Sequence, residues 1–258
     1  MIQVCIAGAT GWVGRPLVRA VTSGDGLALK SAVSRSAAGR GLEEAPDVPV
    51  FSKVPEALEG VDVLIDYTSH DAVRGHTMSA LEQGVNVVIG SSGLTRTDYD
   101  DIDALARRQG VGVVAAGNFS LTAALAQAAA LLVAPLMPQA EVIDYASSTK
   151  GDVPSGTARE LAERLAEKRP PIMDRALEDT AGPIEARGAT VDGLQVHSLR
   201  LPSFSVSTEV ILALPHERLT IRHDADSSPD PYVYGTLLAV RRVIGRVGLT
   251  RGLDSLLF

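Results

Sequence analysis

The sequence predicts an α/β fold: a doubly wound parallel sheet, followed by a second α+β domain built on a largely open sheet. Two observations support this prediction. Through about residue 118, short apolar strands alternate with helical segments across glycine-marked turns, which is the pattern of parallel β-α-β units. Beyond that point, strands follow one another more directly. At 258 residues the chain can form two modest domains, each with its own core.

Composition narrows the class of protein. Hydrophobic residues make up 45% and charged residues 21% of the chain, as is usual for a globular protein. The net charge of -7 argues against a nucleic-acid binder, which normally carries a basic face. We find neither an apolar run of roughly 20 residues nor a leader peptide, and therefore expect a cytoplasmic protein with no membrane partner. The single cysteine, Cys5, lies in the first apolar strand and is expected in the core.

The first predicted strand, residues 2–7, runs directly into a glycine-rich turn and then a helix over residues 15–21. Glycines three residues apart allow a tight turn and leave backbone N–H groups facing a pyrophosphate at the helix N-terminus. The spacing alone is weak evidence, but here it has the required strand-turn-helix context. The turn is predicted to bind a dinucleotide through Gly8, Thr10, Gly11, Trp12, Val13 and Gly14.

The second strand, residues 27–33, ends in Ser34-Arg35-Ser36, with Arg40 close behind. Sites that prefer NAD place a carboxylate here for the ribose 2′-hydroxyl, whereas a basic residue accommodates the 2′-phosphate of NADP. The loop has no acid, so NADP(H) is favoured, NAD(H) stays open, and Ser34, Arg35 and Ser36 are predicted cofactor contacts. The alternative is an ordinary surface arginine in a polar loop.

Two later strands, residues 61–67 and 85–89, end in polar loops. Ligands of open α/β sheets gather at the carboxyl ends of the strands, so we predict cofactor contacts at Thr68 and at Gly90-Ser91-Ser92. His70 is kept only as a candidate, because a lone histidine at a strand end is more often solvated. Further elements are expected as helices over residues 71–83 and 99–108 and a strand over residues 111–115.

The pattern of strands and helices places a domain boundary near residue 118. We assign residues 1–118 and about 229–258 to a dinucleotide-binding domain and residues 119–228 to a second domain. The helix predicted over residues 232–247 is long enough to return to the first domain. In the second domain we expect a helix over residues 122–132, strands over 141–145, 196–201, 208–214 and 218–223, and a long connection over 171–190.

The segment from Asp144 to Ala158 is the most distinctive stretch of the chain. It leads from a strand through Lys150 and the turn Asp152-Val153-Pro154-Ser155-Gly156-Thr157 into an amphipathic helix. A cation beside the amides of a helix N-terminus is a good receptor for a carboxylate or phosphate. Asp152 or Ser155 can cap this helix, and Pro154 suits its first turn. The alternative is an ordinary, well-capped connection.

Taken together, these motifs resemble the 4-hydroxy-tetrahydrodipicolinate reductase family, the dihydrodipicolinate reductases of lysine and diaminopimelate biosynthesis. The resemblance spans nearly the whole chain. It is anchored by Gly8 to Gly14, Ile65-Asp66-Tyr67-Thr68, Val88 to Gly93, Asn118-Phe119-Ser120 and Lys150 to Ala158.

This resemblance carries specific expectations. It implies a Rossmann-type cofactor domain, a mixed-sheet domain for substrate binding and oligomerisation, NADPH or NADH as hydride donor, and usually a homotetramer. Lys150 is expected to be catalytic on its position in the motif, and we expect no metal. The implied cofactor contacts include Tyr67, Asn118 and Phe119, and the implied substrate contacts are Lys150, Ser155, Gly156 and Thr157.

The sequence departs from the family pattern at the expected proton donor. Members carry two adjacent histidines before the lysine, and those positions are Ala146 and Ser147 here. A later Gly-Glu-His element corresponds to about Val206-Ser207-Thr208. These losses suggest a changed substrate or a changed donor, for which Lys150 leads on motif position, with Tyr145, Ser147, a histidine from elsewhere or a water as alternatives.

Three other classes of protein share some of these features. A short-chain dehydrogenase needs Tyr-x-x-x-Lys on a helix, but Tyr145 and Lys150 are one residue too far apart and lie on a strand and loop. A semialdehyde dehydrogenase needs an active-site cysteine, which Cys5 does not provide. A nonenzymatic NADP(H) sensor would explain the missing histidines, but it would have no need for the substrate anchor that Lys150 and Ser155-Gly156-Thr157 retain. We therefore favour an enzyme.

Overall fold

The computed structural model describes residues 1–24 and 26–258. Two compact units divide the chain: the first is Met1–Leu121 with Pro229–Phe258, and the second is Thr122–Ser228. Which ligand each unit binds stays a prediction. No helix in these residues combines the length and apolar character of a membrane span.

The first unit is built on a seven-stranded sheet in the order β12-β6-β5-β4-β1-β2-β3, and all its strand pairs are parallel. Its strands are β1 (Ile2–Ala7), β2 (Leu27–Val33), β3 (Val50–Phe51), β4 (Val63–Asp66), β5 (Asn86–Ile89), β6 (Gly112–Ala115) and β12 (Gly248–Arg251). The predicted doubly wound parallel sheet is confirmed.

Helices pack against this sheet because the strands are apolar on both faces. They are α1 (Gly14–Ser23), α2 (Val73–Glu82), α3 (Arg96–Gln109) and α6 (Asp230–Val243), with 3-10 turns at Val54–Ala57 and Leu253–Leu256. Leu64, Val87 and Ile102 belong to the buried core between strands and helices. Cys5 is fully buried, and burial raises the pKa of its thiol to about 12, as expected for a core cysteine.

The second unit is built on a five-stranded mixed sheet in the order β11-β10-β7-β9-β8, which confirms a separate sheet. The β7 and β9 strands run parallel and the other pairs antiparallel. Its strands are β7 (Gln139–Ala146), β8 (Ala189–Val191), β9 (Leu194–Arg200), β10 (Val206–Leu214) and β11 (Glu217–Ala225). Its helices are α4 (Leu121–Val133) and α5 (Gly156–Lys168), with 3-10 turns at Ala134–Leu136, Leu177–Asp179 and Ile184–Arg187.

The structure differs from the predicted elements mainly at short segments. The helix predicted over residues 232–247 ends at Val243, because Gly245 adopts a left-handed φ of 78°. The chain then forms β12, which was not predicted. At α5, Ser155 is the cap and its hydroxyl accepts from the amide of Ala158, so Pro154 lies before the helix rather than in its first turn.

Candidate active site

The order of the first sheet reverses between β1 and β4, which are neighbours in the sheet and separate its two wound halves. Such a reversal leaves a crevice at the carboxyl ends of the two strands, where doubly wound proteins bind ligands. The glycine-rich turn follows β1, and Tyr67-Thr68 follow β4. Two of the predicted cofactor loops therefore meet at this crevice.

The glycines of the turn are required by close packing. Gly8 has φ 84°, and a Cβ on it would overlap the backbone carbonyl of Tyr67. A Cβ on Gly14, the first residue of α1, would overlap the carbonyl of Gly8, and one on Gly11 would lie 3.0 Å from that same oxygen. The turn is thus tight, and its amides lead into a helix N-terminus that suits a pyrophosphate. Trp12 is 55% exposed, with its ring edge-on to Tyr232.

The loop after β2 is polar and linked to the glycine turn. The hydroxyls of Thr10 and Ser34 lie 2.8 Å apart, and those of Ser34 and Ser36 lie 3.2 Å apart. Arg40 donates to the carbonyl of Ser36. Arg35 is exposed, and no hydrogen bond or ion pair holds its guanidinium within residues 1–24 and 26–258, so it is a free cation at the end of β2.

The aromatic rings of Tyr67 and Phe119 pack together next to the loops that follow β4 and β5. The Tyr67 hydroxyl lies 2.8 Å from the Thr236 hydroxyl, and burial raises the pKa of Tyr67 well above its usual range. Its ring meets Phe119 edge-on at 6.1 Å, while a Cβ on Gly90 would overlap it. Asn118 accepts from the amide of Ser120, which shapes the end of this strand-to-helix connection.

In the second unit, residues 147–155 connect β7 to α5, and we call this segment the anion loop. The buried carboxylate of Asp144 holds its end in place. Asp144 is 1% exposed. It accepts from the amide and hydroxyl of Ser155 at 2.8 and 2.7 Å, from the Ser198 hydroxyl at 3.1 Å, and from Arg200 Nη2 at 2.8 Å. A buried charge with this many donors is satisfied and holds its partners rigidly. Asp144 thereby fixes where α5 begins.

Lys150 lies midway along the anion loop, with its Nζ 2.8 Å from Asp152 Oδ1. The lysine amide donates to the Ser147 carbonyl, and Arg200 Nη2 donates to the Asp152 carbonyl at 2.7 Å. The loop therefore places one ammonium group, partly exposed, in the segment that leads into the N-terminus of α5. Gly156 and Thr157 form the first turn of that helix, and their role as a carboxylate receptor stays a prediction.

Successive side chains of β7 point to opposite faces of its sheet, which separates the candidate proton donors. Ala146 is 1% exposed on the same face as Asp144. Tyr145 points to the other face, where its hydroxyl donates to Glu209 and its ring lies under Arg222. Burial raises the pKa of Tyr145. The structure thus argues against Tyr145 as the acid, and it leaves Lys150 and Ser147 on the loop.

A histidine lies near Val206-Ser207-Thr208, where the family resemblance implies a Gly-Glu-His element. Thr208 pairs in register with both Asp144 and His223, so the three side chains share one face of the sheet. His223 Nε2 lies 3.0 Å from the Thr122 hydroxyl, and burial lowers the pKa of its imidazole. His70, by contrast, is largely exposed and pairs with Asp71 at 3.1 Å, as expected for a solvated loop residue.

Sequence reasoning missed Asp66, Asp144 and Arg200 as organisers of the site. A signal existed for Asp144, since it occupies an inward-facing position between buried Val142 and Ala146. Arg200 lies on β9 and reaches Asp144 only through the parallel register of β7 and β9, which the sequence does not reveal. Within the described residues, no cluster of three or more His, Cys, Asp or Glu side chains could hold a metal ion.

A doubly wound sheet with a glycine-rich turn at its reversal point defines a dinucleotide-binding protein of the Rossmann type. Comparison with known proteins identifies the family. Residues 2–119 match the family model for the N-terminus of dihydrodipicolinate reductase, and residues 118–257 match the model for its C-terminus.

Individual relatives agree over the full length. The chain is 37% identical to a 4-hydroxy-tetrahydrodipicolinate reductase of Moorella thermoacetica over 99% of this chain and 98% of that protein, and 36% identical to one of Beutenbergia cavernae with the same coverage. It is also similar to the dipicolinate-bound dihydrodipicolinate reductase of Paenisporosarcina sp. TG-14, with a TM-score of 0.76, 30% identity and 99% of both chains covered. The chain belongs to the dihydrodipicolinate reductase family and is an oxidoreductase that uses a nicotinamide cofactor, which confirms the resemblance drawn from its motifs.

Proposed function

We propose that this chain is an NADPH-dependent 4-hydroxy-tetrahydrodipicolinate reductase of lysine biosynthesis, which reduces a cyclic unsaturated carboxylate. One observation carries the proposal: Lys150 lies in a loop that the buried carboxylate of Asp144 ties to the N-terminus of α5. The family relatives named above act on this substrate class, and the anion loop supplies the charge that such a substrate requires.

The first unit would hold the cofactor. The cradle around Gly8, Gly11 and Gly14 has no room for side chains and suits a pyrophosphate. The free guanidinium of Arg35 suits a 2′-phosphate, which favours NADPH over NADH. When bound, the cofactor supplies the hydride.

The second unit would hold the substrate. Lys150 and the first turn of α5 at Gly156 and Thr157 would bind a carboxylate through charge and backbone amides. Ser155 supports this role indirectly, since its amide and hydroxyl are both engaged by Asp144.

Reduction of a C=N or C=C bond also needs a proton at the atom that gains electron density. Lys150 is the proposed donor: its ammonium gives one proton to the reduced substrate and regains one from water. An ordinary lysine is a weak acid near pH 7, so this role depends on the bound substrate and cofactor lowering the cost of the transfer.

A second candidate function is reduction of a different cyclic imino acid. The observation that favours it is the fully buried methyl of Ala146 at the end of β7, where the family resemblance implies a histidine. Alanine can neither donate a proton nor hydrogen-bond a polar substituent, so the substrate that suits this site can differ from that of the relatives.

One assay separates these functions. Oxidation of NADPH and of NADH is followed with 4-hydroxy-tetrahydrodipicolinate and with a panel of other cyclic imino acids. Turnover of the first compound at rates typical of enzymes supports the proposal, and turnover of another compound alone supports the second candidate. Tight NADPH binding with no turnover of any compound would instead support a sensor.

Association into a homotetramer is the expected quaternary state. One face of the second sheet packs on α5 and α4 around Val142 and Val210. The other face carries Tyr145 and Ile211, which are only partly buried, beside the charged Glu209 and Arg222, and so offers a mixed apolar and charged surface to another copy. Light scattering during size-exclusion chromatography checks this, and a monomer at micromolar concentration would contradict it.

A further inference from the structure

Asp66, the last residue of β4, is fully buried in the first unit, and its carboxylate accepts hydrogen bonds from three residues. Oδ1 accepts from the Thr68 amide at 2.9 Å and from the hydroxyls of Thr68 and Ser91, each at 2.7 Å. Oδ2 lies 2.8 Å from His76 Nδ1, which comes from α2. One carboxylate therefore joins the loops after β4 and β5 to a helix.

This arrangement fixes the hydrogen positions of the group. A carboxylate only accepts hydrogen bonds, so each partner must be a donor. His76 must then carry its proton on Nδ1, and the single protons of the Thr68 and Ser91 hydroxyls both point at Asp66. The Ser91 hydroxyl also accepts from the Thr68 amide at 2.7 Å, which is consistent with this assignment.

Because the hydroxyls of Thr68 and Ser91 both donate their protons to Asp66, they offer only lone pairs to a group that binds on the side away from Asp66. Thr68 and Ser91 are both partly exposed at the carboxyl ends of neighbouring strands, where the proposed cofactor binds. A ligand group that binds to these two hydroxyls must therefore be a hydrogen-bond donor, as a ribose hydroxyl or a carboxamide N–H is. A phosphate oxygen, which has no proton to give, would be rejected at these two side chains.

We infer that Asp66 and His76 are positioning residues that hold Thr68 and Ser91 as hydrogen-bond acceptors for a proton-donating group of the nicotinamide cofactor, such as a ribose hydroxyl. The inference rests on the proposed cofactor site. His76 is needed because it gives the second oxygen of a fully buried carboxylate its only hydrogen bond among the described residues. Without that donor, Oδ2 becomes a buried acceptor with no partner, and the carboxylate can turn away from the two hydroxyls, whose protons then lose their fixed direction.

The test compares two substitutions at one position. His76→Asn keeps an N–H donor close to the place of Nδ1, whereas His76→Leu removes it. Trp12 is the only tryptophan in the chain and lies in the glycine turn, so its fluorescence reports NADPH and NADH binding directly. We expect His76→Leu to weaken NADPH binding about tenfold with kcat within about twofold, and His76→Asn to stay within about twofold of wild type. The exposed His216, in the other unit, supplies the matched control His216→Asn.

Several outcomes would overturn the inference. These are unchanged NADPH affinity in His76→Leu, an equal loss in His76→Asn, or a large loss in the control. If wild type binds neither NADPH nor NADH, the proposed function fails instead. If His76→Leu does not fold, ¹⁵N NMR of wild type still decides the matter, because the inference requires His76 to be protonated at Nδ1 and an Nε2-protonated neutral ring would refute it.

Discussion

The Nζ of Lys150 lies 2.8 Å from Oδ1 of Asp152, so the cation proposed to receive the substrate already has a carboxylate partner in its own loop. Both side chains are about one-third exposed, and a pair of this kind is weak because water screens it. A substrate carboxylate can therefore displace Asp152 from Lys150 at modest cost.

Removing the charge of Asp152 should help the substrate compete for Lys150. We expect Asp152→Asn to lower the KM for the carboxylate substrate about two- to fivefold, the range set by a weak, partly exposed ion pair. Steady-state kinetics with saturating NADPH measures this. Asp174→Asn, an exposed change in the same unit, is the control. A raised KM would mean that Asp152 orders the anion loop or contacts substrate itself.

Removing the Lys150 side chain should lower the rate of substrate reduction and leave the affinity for the cofactor unchanged. For Lys150→Ala we expect kcat/KM to fall about 100-fold or more, since both a charged contact and the proposed acid are lost, while the dissociation constant of NADPH stays within about twofold. The control is Lys168→Ala, an exposed lysine at the end of α5. A marked loss of NADPH binding in Lys150→Ala would show that its role in the second unit is assigned wrongly.

Elements with a strong local signal were predictable from sequence. The buried strands of the first sheet are nearly continuous apolar runs, and α5 has an apolar face at helical spacing. The strands β3 and β8 have two and three residues, too few for any pattern to appear, and β12, although it has four residues like β4, is not an apolar run. Each of the three pairs with an edge that its neighbour in the sheet leaves open, which is a property of the assembled sheet.

The candidate site was predictable only where a motif marks it. The glycine turn and Lys150 each belong to a short motif of consecutive residues, which can be recognised in the sequence. Asp144, however, depends on Ser198 and Arg200, which lie more than 50 residues further along the chain. Their meeting is set by the parallel register of β7 and β9, and no local pattern encodes that register.

Charge reversal at the end of β2 should change the choice of cofactor. Arg35 is exposed and has no ion-pair partner in the described residues, so it is available to a 2′-phosphate. We expect Arg35→Asp to weaken NADPH binding about tenfold or more, because an attractive charged contact becomes repulsive, while NADH binding is unchanged or improved. Titration of Trp12 fluorescence with each cofactor measures the ratio, and Arg108→Asp on the exposed end of α3 is the control. An unchanged ratio would remove Arg35 from the 2′-phosphate site.

The buried imidazole of His223 should make the second unit sensitive to acid. Burial lowers the pKa of His223 below its ordinary 6.5, although Asp224 opposes the shift. Between the folded and unfolded pKa values the unfolded chain binds more protons, so stability increases with pH there and is lost as the pH falls below about 6.5. We expect the urea midpoint to decrease from about pH 7.5 to about pH 5.5, and His223→Gln, which can still bond the Thr122 hydroxyl, to reduce that decrease. His216→Asn, at an exposed turn, should keep the wild-type slope. An identical pH dependence in His223→Gln and wild type would show that His223 titrates alike in both states.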